Sequence, residues 1–136
     1  MLWIPLALLV LATIFDLRSR EIPDWIAIVM LMWALAATAS GASPNGWLSL
    51  TLGLATGAVL GMVLFWLGGF GGGDAKLLAS LGASLGPGAF VVLLFHVALA
   101  GGVMAAIAMA RDKRDVAYAP AMALGLLVFM IARGMR

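Results

Sequence analysis

Residues 1–15, 25–73, 77–110 and 116–132 contain no charged side chain. Apolar runs separated by short polar clusters are best read against the width of a bilayer. A helix needs about 20 apolar residues, within a range of about 17–25, to cross a hydrocarbon core of about 30 Å. The first run predicts one short helix over 2–16. The second is too long for a single crossing, and Ser40-Gly41-Ala42-Ser43-Pro44-Asn45-Gly46 breaks it into helices over 25–39 and 47–67. In the third, Gly86-Pro87-Gly88 separates a short helix over 75–85 from a longer one over 89–110. The last run predicts a helix over 117–132. The predicted fold is therefore all-α, a polytopic membrane bundle of six transmembrane helices. Residues 1–136 form one membrane-embedded domain, and no room is left for an extramembrane one.

Composition reinforces this reading. The chain is 65% hydrophobic and 10% charged, whereas a soluble domain is typically about a quarter charged. That excludes a soluble globular protein, a disordered chain and a nucleic-acid binder, despite an isoelectric point near 9.7. Cysteine is absent, which excludes disulfides, thiolate metal sites and cysteine nucleophiles. The N-terminal run lacks a basic leading region and no soluble domain follows it, so it reads as a retained span rather than a cleaved signal. Arg18, Arg20, Lys76, Arg111, Lys113 and Arg114 fall on one side of a six-span topology, against Arg133 and Arg136 on the other. The positive-inside rule then puts the charged loops in the cytoplasm and both termini outside, in the inner membrane of the cell.

Other features are structural in this reading. Gly53, Gly57 and Gly61, and likewise Ala117, Ala121 and Gly125, recur every four residues. Such stripes let helix backbones approach closely. Packing within the bundle is the first reading, and a homodimer face is the alternative. Trp3, Trp25 and Trp47 fall near expected interfaces. Pro23 is expected just ahead of the second helix, with Asp24 as its cap. His96 has no second histidine or cysteine to join it, so it reads as a hydrogen-bonded interhelical side chain. Neither a metal nor any other cofactor is expected.

Two acids stand apart. Asp112 and Asp115 alternate with basic residues in a hydrophilic loop, and Glu21 and Asp24 lie in the first polar loop. Asp16 and Asp74 instead abut apolar runs at short helices, roughly 22 Å and 17 Å long at 1.5 Å per residue. This places both near the cytoplasmic surface at similar depth, where a carboxylate is costly. Capping explains Asp74 adequately but Asp16 poorly. Two carboxyls at one depth suit an aspartic protease, one taking a proton from water and the other polarising the scissile carbonyl. Helix dipoles favour charge at a helix N-terminus and oppose it at a C-terminus. On that argument Asp74 is the base and Asp16 the acid. The five glycines within 68–73, just ahead of Asp74, would admit an extended substrate backbone.

These residues resemble a known family. Asp16-Leu17-Arg18-Ser19-Arg20-Glu21-Ile22-Pro23 followed by Gly71-Gly72-Gly73-Asp74-Ala75-Lys76 is similar to the paired motifs of type IV prepilin peptidases, membrane aspartic proteases of the GxGD class. The resemblance extends to Tyr118-Ala119-Pro120. It implies that Asp16 and Asp74 are the catalytic pair, with Ile22, Pro23, Gly71, Gly72, Gly73 and Lys76 binding substrate or supporting the site, Lys76 by steadying the Asp74 carboxylate. It further implies removal of a basic leader from a prepilin's hydrophobic helix at the cytoplasmic face. The chain departs from many relatives in having Asp24 after Ile-Pro. It also has no cysteine and no added segment associated with N-methylation, so it looks like the short, peptidase-only type serving tight-adherence (Flp-type) pili. The reading from a different class is a non-enzymatic membrane scaffold or assembly factor. A small proton-coupled transporter is a third, without the internal repeats expected of one.

Overall fold

The computed structural model describes residues 2–112 and 118–134. Among them the chain is all helical: α1 (Trp3–Ser19), α2 (Asp24–Ala39), α3 (Trp47–Trp66), α4 (Gly72–Ala110) and α5 (Tyr118–Ala132). α4 is broken at Gly86, whose φ of 74° and ψ of 166° are open to glycine but not to a helical residue. Its two limbs, 72–85 and 87–110, bring the helical segments to the predicted number. Lys113, Arg114 and Asp115 of the predicted polar loop, Ala117 of the second small-residue stripe, and Arg136 lie outside the described residues.

The boundaries differ from expectation in instructive ways. α1 continues one turn beyond Asp16, because Arg18 in its last turn is favoured there by the helix dipole. It ends when Arg20 turns left-handed at φ 55° and donates its N–H to the Asp16 carbonyl at 3.0 Å. α2 has Pro23 rather than Asp24 at its N-cap, with ψ of 133°, and Asp24 is its first residue. The second limb of α4 resumes at Pro87, whose fixed φ and missing N–H suit a first helical position. Asn45 donates to the carbonyl of Ser84 at 3.4 Å, satisfying one acceptor freed by the break.

The first limb of α4 is the axis of the molecule. Leu77, Leu78 and Leu81 are buried, as is every residue from Ser80 to Gly86. Around it pack Leu9 and Ala12 of α1, Ile26 and Met30 of α2, and Met122, Leu126 and Phe129 of α5, with Phe90 and Leu93 of the second limb. α3 closes the remaining side through its glycines. A Cβ at Gly53 would meet the backbone of Gly82 and Gly86, one at Gly57 the backbone of Leu78 and Ala79, and one at Gly61 the carbonyl of Ala75. In α5, Gly125 lies against the backbone of Val97 and Ala121 is buried beside Gly101. Gly53, Gly57 and Gly61 on α3, and Ala121 and Gly125 on α5, are therefore packed within the chain, as the first reading of the stripes has it. His96 also differs from expectation. Its Nδ1–H donates to the carbonyl of Val92 on its own helix at 2.8 Å, and only its ring reaches across, edge-on to Phe129 of α5.

The outer surface is strongly apolar. Trp66, Leu67, Leu48, Met109 and Ile131 are all more than 70% exposed, and Trp3, Trp25 and Trp47 face outward with them. Water does not tolerate such a surface on a monomer. α3 and α4 are long and apolar enough to cross a membrane.

Candidate active site

α1 carries Asp16 in its last full turn, half-buried on the side that faces α5. The Oδ2 atom accepts the backbone N–H of Ala119 at 3.3 Å, at the first turn of α5. The carboxyl thus sits at the N-terminal end of one helix while belonging to the C-terminal end of another.

Asp74 is buried, at 7% exposure. The predicted helix start at 75 is corrected to Gly72, which makes Gly71 the N-cap and puts Asp74 at the third helical position. From there Oδ2 reaches back to accept the Gly71 N–H at a long 3.4 Å. A glycine has no side chain to return the bond, so only the reverse half of a capping box forms. The other oxygen, Oδ1, is buried without a hydrogen-bond partner. Such an orphan acceptor is uncommon in a native fold and calls for a reason.

Of the glycines ahead of Asp74, Gly73 is the one whose missing side chain is required by a neighbour. A Cβ there would come within 2.9 Å of the Ile22 Cβ and 3.0 Å of its carbonyl oxygen. The Ile-Pro turn and the glycine loop are thereby pressed together. Gly72 has open space where a side chain would be, and Gly71 meets nothing but the Asp74 carboxylate.

Asp16, Arg20, Glu21, Ile22, Gly71, Gly72, Gly73 and Asp74 line one cavity of about 230 Å³. The two acids singled out in the sequence are brought together, with Ile22 and all three glycines. Pro23 stands behind the wall as the α2 cap. Lys76 does not support Asp74. Its Nζ lies 2.6 Å from Oδ2 of Asp24, an ion pair between the first turns of α4 and α2. Both side chains are more than half exposed, where a pair is worth about 0.2–1 kcal/mol. Replacing Lys76 by Met should therefore lower the unfolding free energy in detergent by less than about 1 kcal/mol.

The assignment of Asp74 as base and Asp16 as acid loses its premise. It weighed α1 alone at Asp16, whereas the N–H of Ala119, in the first turn of α5, is given to the same carboxyl. At Asp74, enclosure opposes the dipole. Sequence reasoning missed the Ala119 N–H because a backbone donor carries no residue signature. The adjoining Tyr118-Ala119-Pro120 was the signal available. Phe70, which stacks on Tyr118 with ring centroids 4.5 Å apart and planes 25° from parallel, was also missed.

Fold and site define a class: an apolar helical bundle in which two carboxyls from separate helices share one cavity beside a glycine-rich turn. Residues 3–106 match the type IV leader peptidase family, and the chain belongs to it. It is 31% identical over 135 residues to a prepilin leader peptidase/N-methyltransferase of Neisseria gonorrhoeae, covering 90% of this chain and 46% of the relative. A protein of the same name from Bacillus subtilis is 30% identical over 129 residues, covering 90% and 52%. A preflagellin peptidase of Methanocaldococcus jannaschii is 36% identical over 86 residues, covering 55% and 33%. The chain spans about half the length of the prepilin peptidases it matches. No solved structure matches it.

Proposed function

We propose that this chain is a membrane aspartic endopeptidase that removes the basic leader from type IV prepilins of the Flp type at the cytoplasmic face of the inner membrane. The observation that carries the reading is the common cavity of Asp16 and Asp74, beside which one Asp74 oxygen is buried without a hydrogen-bond partner. In the proposed reaction a water between the carboxyls gives a proton to the ionised one as its oxygen attacks the scissile carbonyl. The protonated carboxyl hydrogen-bonds the carbonyl oxygen. Collapse of the tetrahedral intermediate breaks the C–N bond, and the amine leaves with a proton returned from the pair. The two groups act as one titrating unit, so the proton belongs to the pair.

The surroundings support this chemistry. Gly71 and Gly72 present backbone unshielded by side chains beside Asp74, leaving space for an extended substrate strand. Glu21, exposed at the cavity, adds negative charge where a basic leader would lie, and solvent screening within about 10 Å keeps that attraction weak. The apolar exterior and the six helical segments support a six-span arrangement with both termini outside, which puts the cavity on the side of the basic loops.

The test is conversion of a pilin precursor by the purified chain in detergent, read by mass spectrometry. The expected result is release of the leader as one peptide. If the precursor binds but remains intact, the scaffold reading replaces this one. Ser19→Cys, in a chain without cysteine, is expected to react only with membrane-permeant thiol reagents in intact cells. Labelling by an impermeant reagent from outside would overturn the topology.

A further inference from the structure

The glycine loop that leads into α4 and Asp74 is pressed against Ile22 at Gly73 and has few other anchors of its own. Gly68 and Gly72 have nothing within 4 Å of a notional Cβ, and Gly69 meets only the Leu64 carbonyl at the end of α3. Phe70 is the one residue in 68–73 with a side chain. Its ring is packed against the main core and stacked on Tyr118. Gly71, directly after Phe70, donates the hydrogen bond that Asp74 accepts. Ala119, directly after Tyr118, donates the one that Asp16 accepts. The two carboxyls are therefore linked by a continuous path: Asp74 Oδ2, Gly71 N–H, the Phe70 ring, the Tyr118 ring, Ala119 N–H and Asp16 Oδ2.

We propose that Tyr118 is a positioning residue, whose stack on Phe70 ties the N-terminus of α5, which holds Asp16, to the loop that holds Asp74, and so sets the spacing of the two carboxyls. The Gly71 N–H on Asp74 and the Ala119 N–H on Asp16 come from the two segments that the stack joins. The loop and the first turn of α5 meet nowhere else through aromatic rings. An offset stack of this kind is worth about 0.5–1.5 kcal/mol beyond its area, enough to bias a loop between held and loose. The consequence for chemistry is larger, since a displacement of about 1 Å at reacting groups costs roughly 10²-fold in rate.

This inference rests on the proposed peptidase reaction only for its kinetic readout, and its structural readout is independent. Nitroxides placed at Leu17→Cys and Gly72→Cys, both exposed positions in a cysteine-free chain, report the separation of the two supports by continuous-wave electron paramagnetic resonance. A narrow distance distribution is expected with Tyr118 present, a broadened one in Tyr118→Ala, and recovery in Tyr118→Phe, which keeps the ring. Tyr118→Leu keeps apolar bulk without the stack and is expected to behave as Tyr118→Ala, which covers the case in which the alanine variant fails to fold. With a pilin precursor, kcat should fall about 10–100-fold in Tyr118→Ala and Tyr118→Leu with little change in KM, and return in Tyr118→Phe. Unchanged distance distributions in Tyr118→Leu would overturn the proposal whatever the activity. So would a loss in Tyr118→Phe equal to that in Tyr118→Leu, since the hydroxyl rather than the stack would then be responsible.

Discussion

Asp74→Asn is expected to lower the rate of leader removal by about 10³-fold or more while leaving the fold intact. A positioned acid or base supplies about 10²–10⁴-fold, and members of one catalytic unit lose most of its effect when any one is removed. Asparagine retains the shape and an oxygen able to accept the Gly71 N–H, so the start of α4 keeps its cap. What disappears is the exchangeable proton. Asp16→Asn should behave in the same way, because an amide oxygen accepts the Ala119 N–H as a carboxylate does. The double variant should be little worse than either single one, as expected of a pair with one function. The measurement is single-turnover cleavage of a purified pilin precursor, alongside thermal unfolding to show that the variants are folded. Normal processing by either single variant would rule out a two-carboxyl site.

The order of the helices and the candidate site were legible because both depend on scarcity. Charge is so rare in this chain that two acids abutting apolar runs are conspicuous, and Gly and Pro at 40–46 and 86–88 break helices for local reasons. What could not be read depends on approach between segments distant in sequence. The partner of Lys76 is Asp24 rather than Asp74 because the first turns of α2 and α4 lie side by side, a fact of packing that local spacing does not contain. Ala119 enters the site through its N–H, a group every residue but proline possesses. Expecting α1 to end at Asp16 and α4 to begin at 75 treated charge and glycine as helix breakers. In the structure the basic residues suit the end of α1, and Gly73 lies within α4, a glycine there because Ile22 leaves no room for a side chain.

The glycine stripe on α3 provides the largest expected effect on stability. A Cβ at Gly57 would fall against the backbone of Leu78 and Ala79, and backbone, unlike a flexible side chain, does not give way by changing rotamer. Gly57→Leu should therefore push α3 away from the first limb of α4, at a cost of about 3 kcal/mol, the upper end of the usual range for overpacked cores. Because that limb also carries Asp74, leader removal should fall with stability. Gly102→Ala is the control. It lies in the second limb with nothing within 4 Å of its Cβ, and replacing glycine by alanine within a helix is favourable by up to about 1 kcal/mol. Its unfolding midpoint should equal or exceed that of the wild type. A dimer interface on α3 would give the reverse pattern in Gly57→Leu, an altered oligomeric state by light scattering with no change in monomer stability. That outcome would contradict the packing of α3 on α4. A lowered midpoint in a chain of unchanged oligomeric state is the result the packing requires.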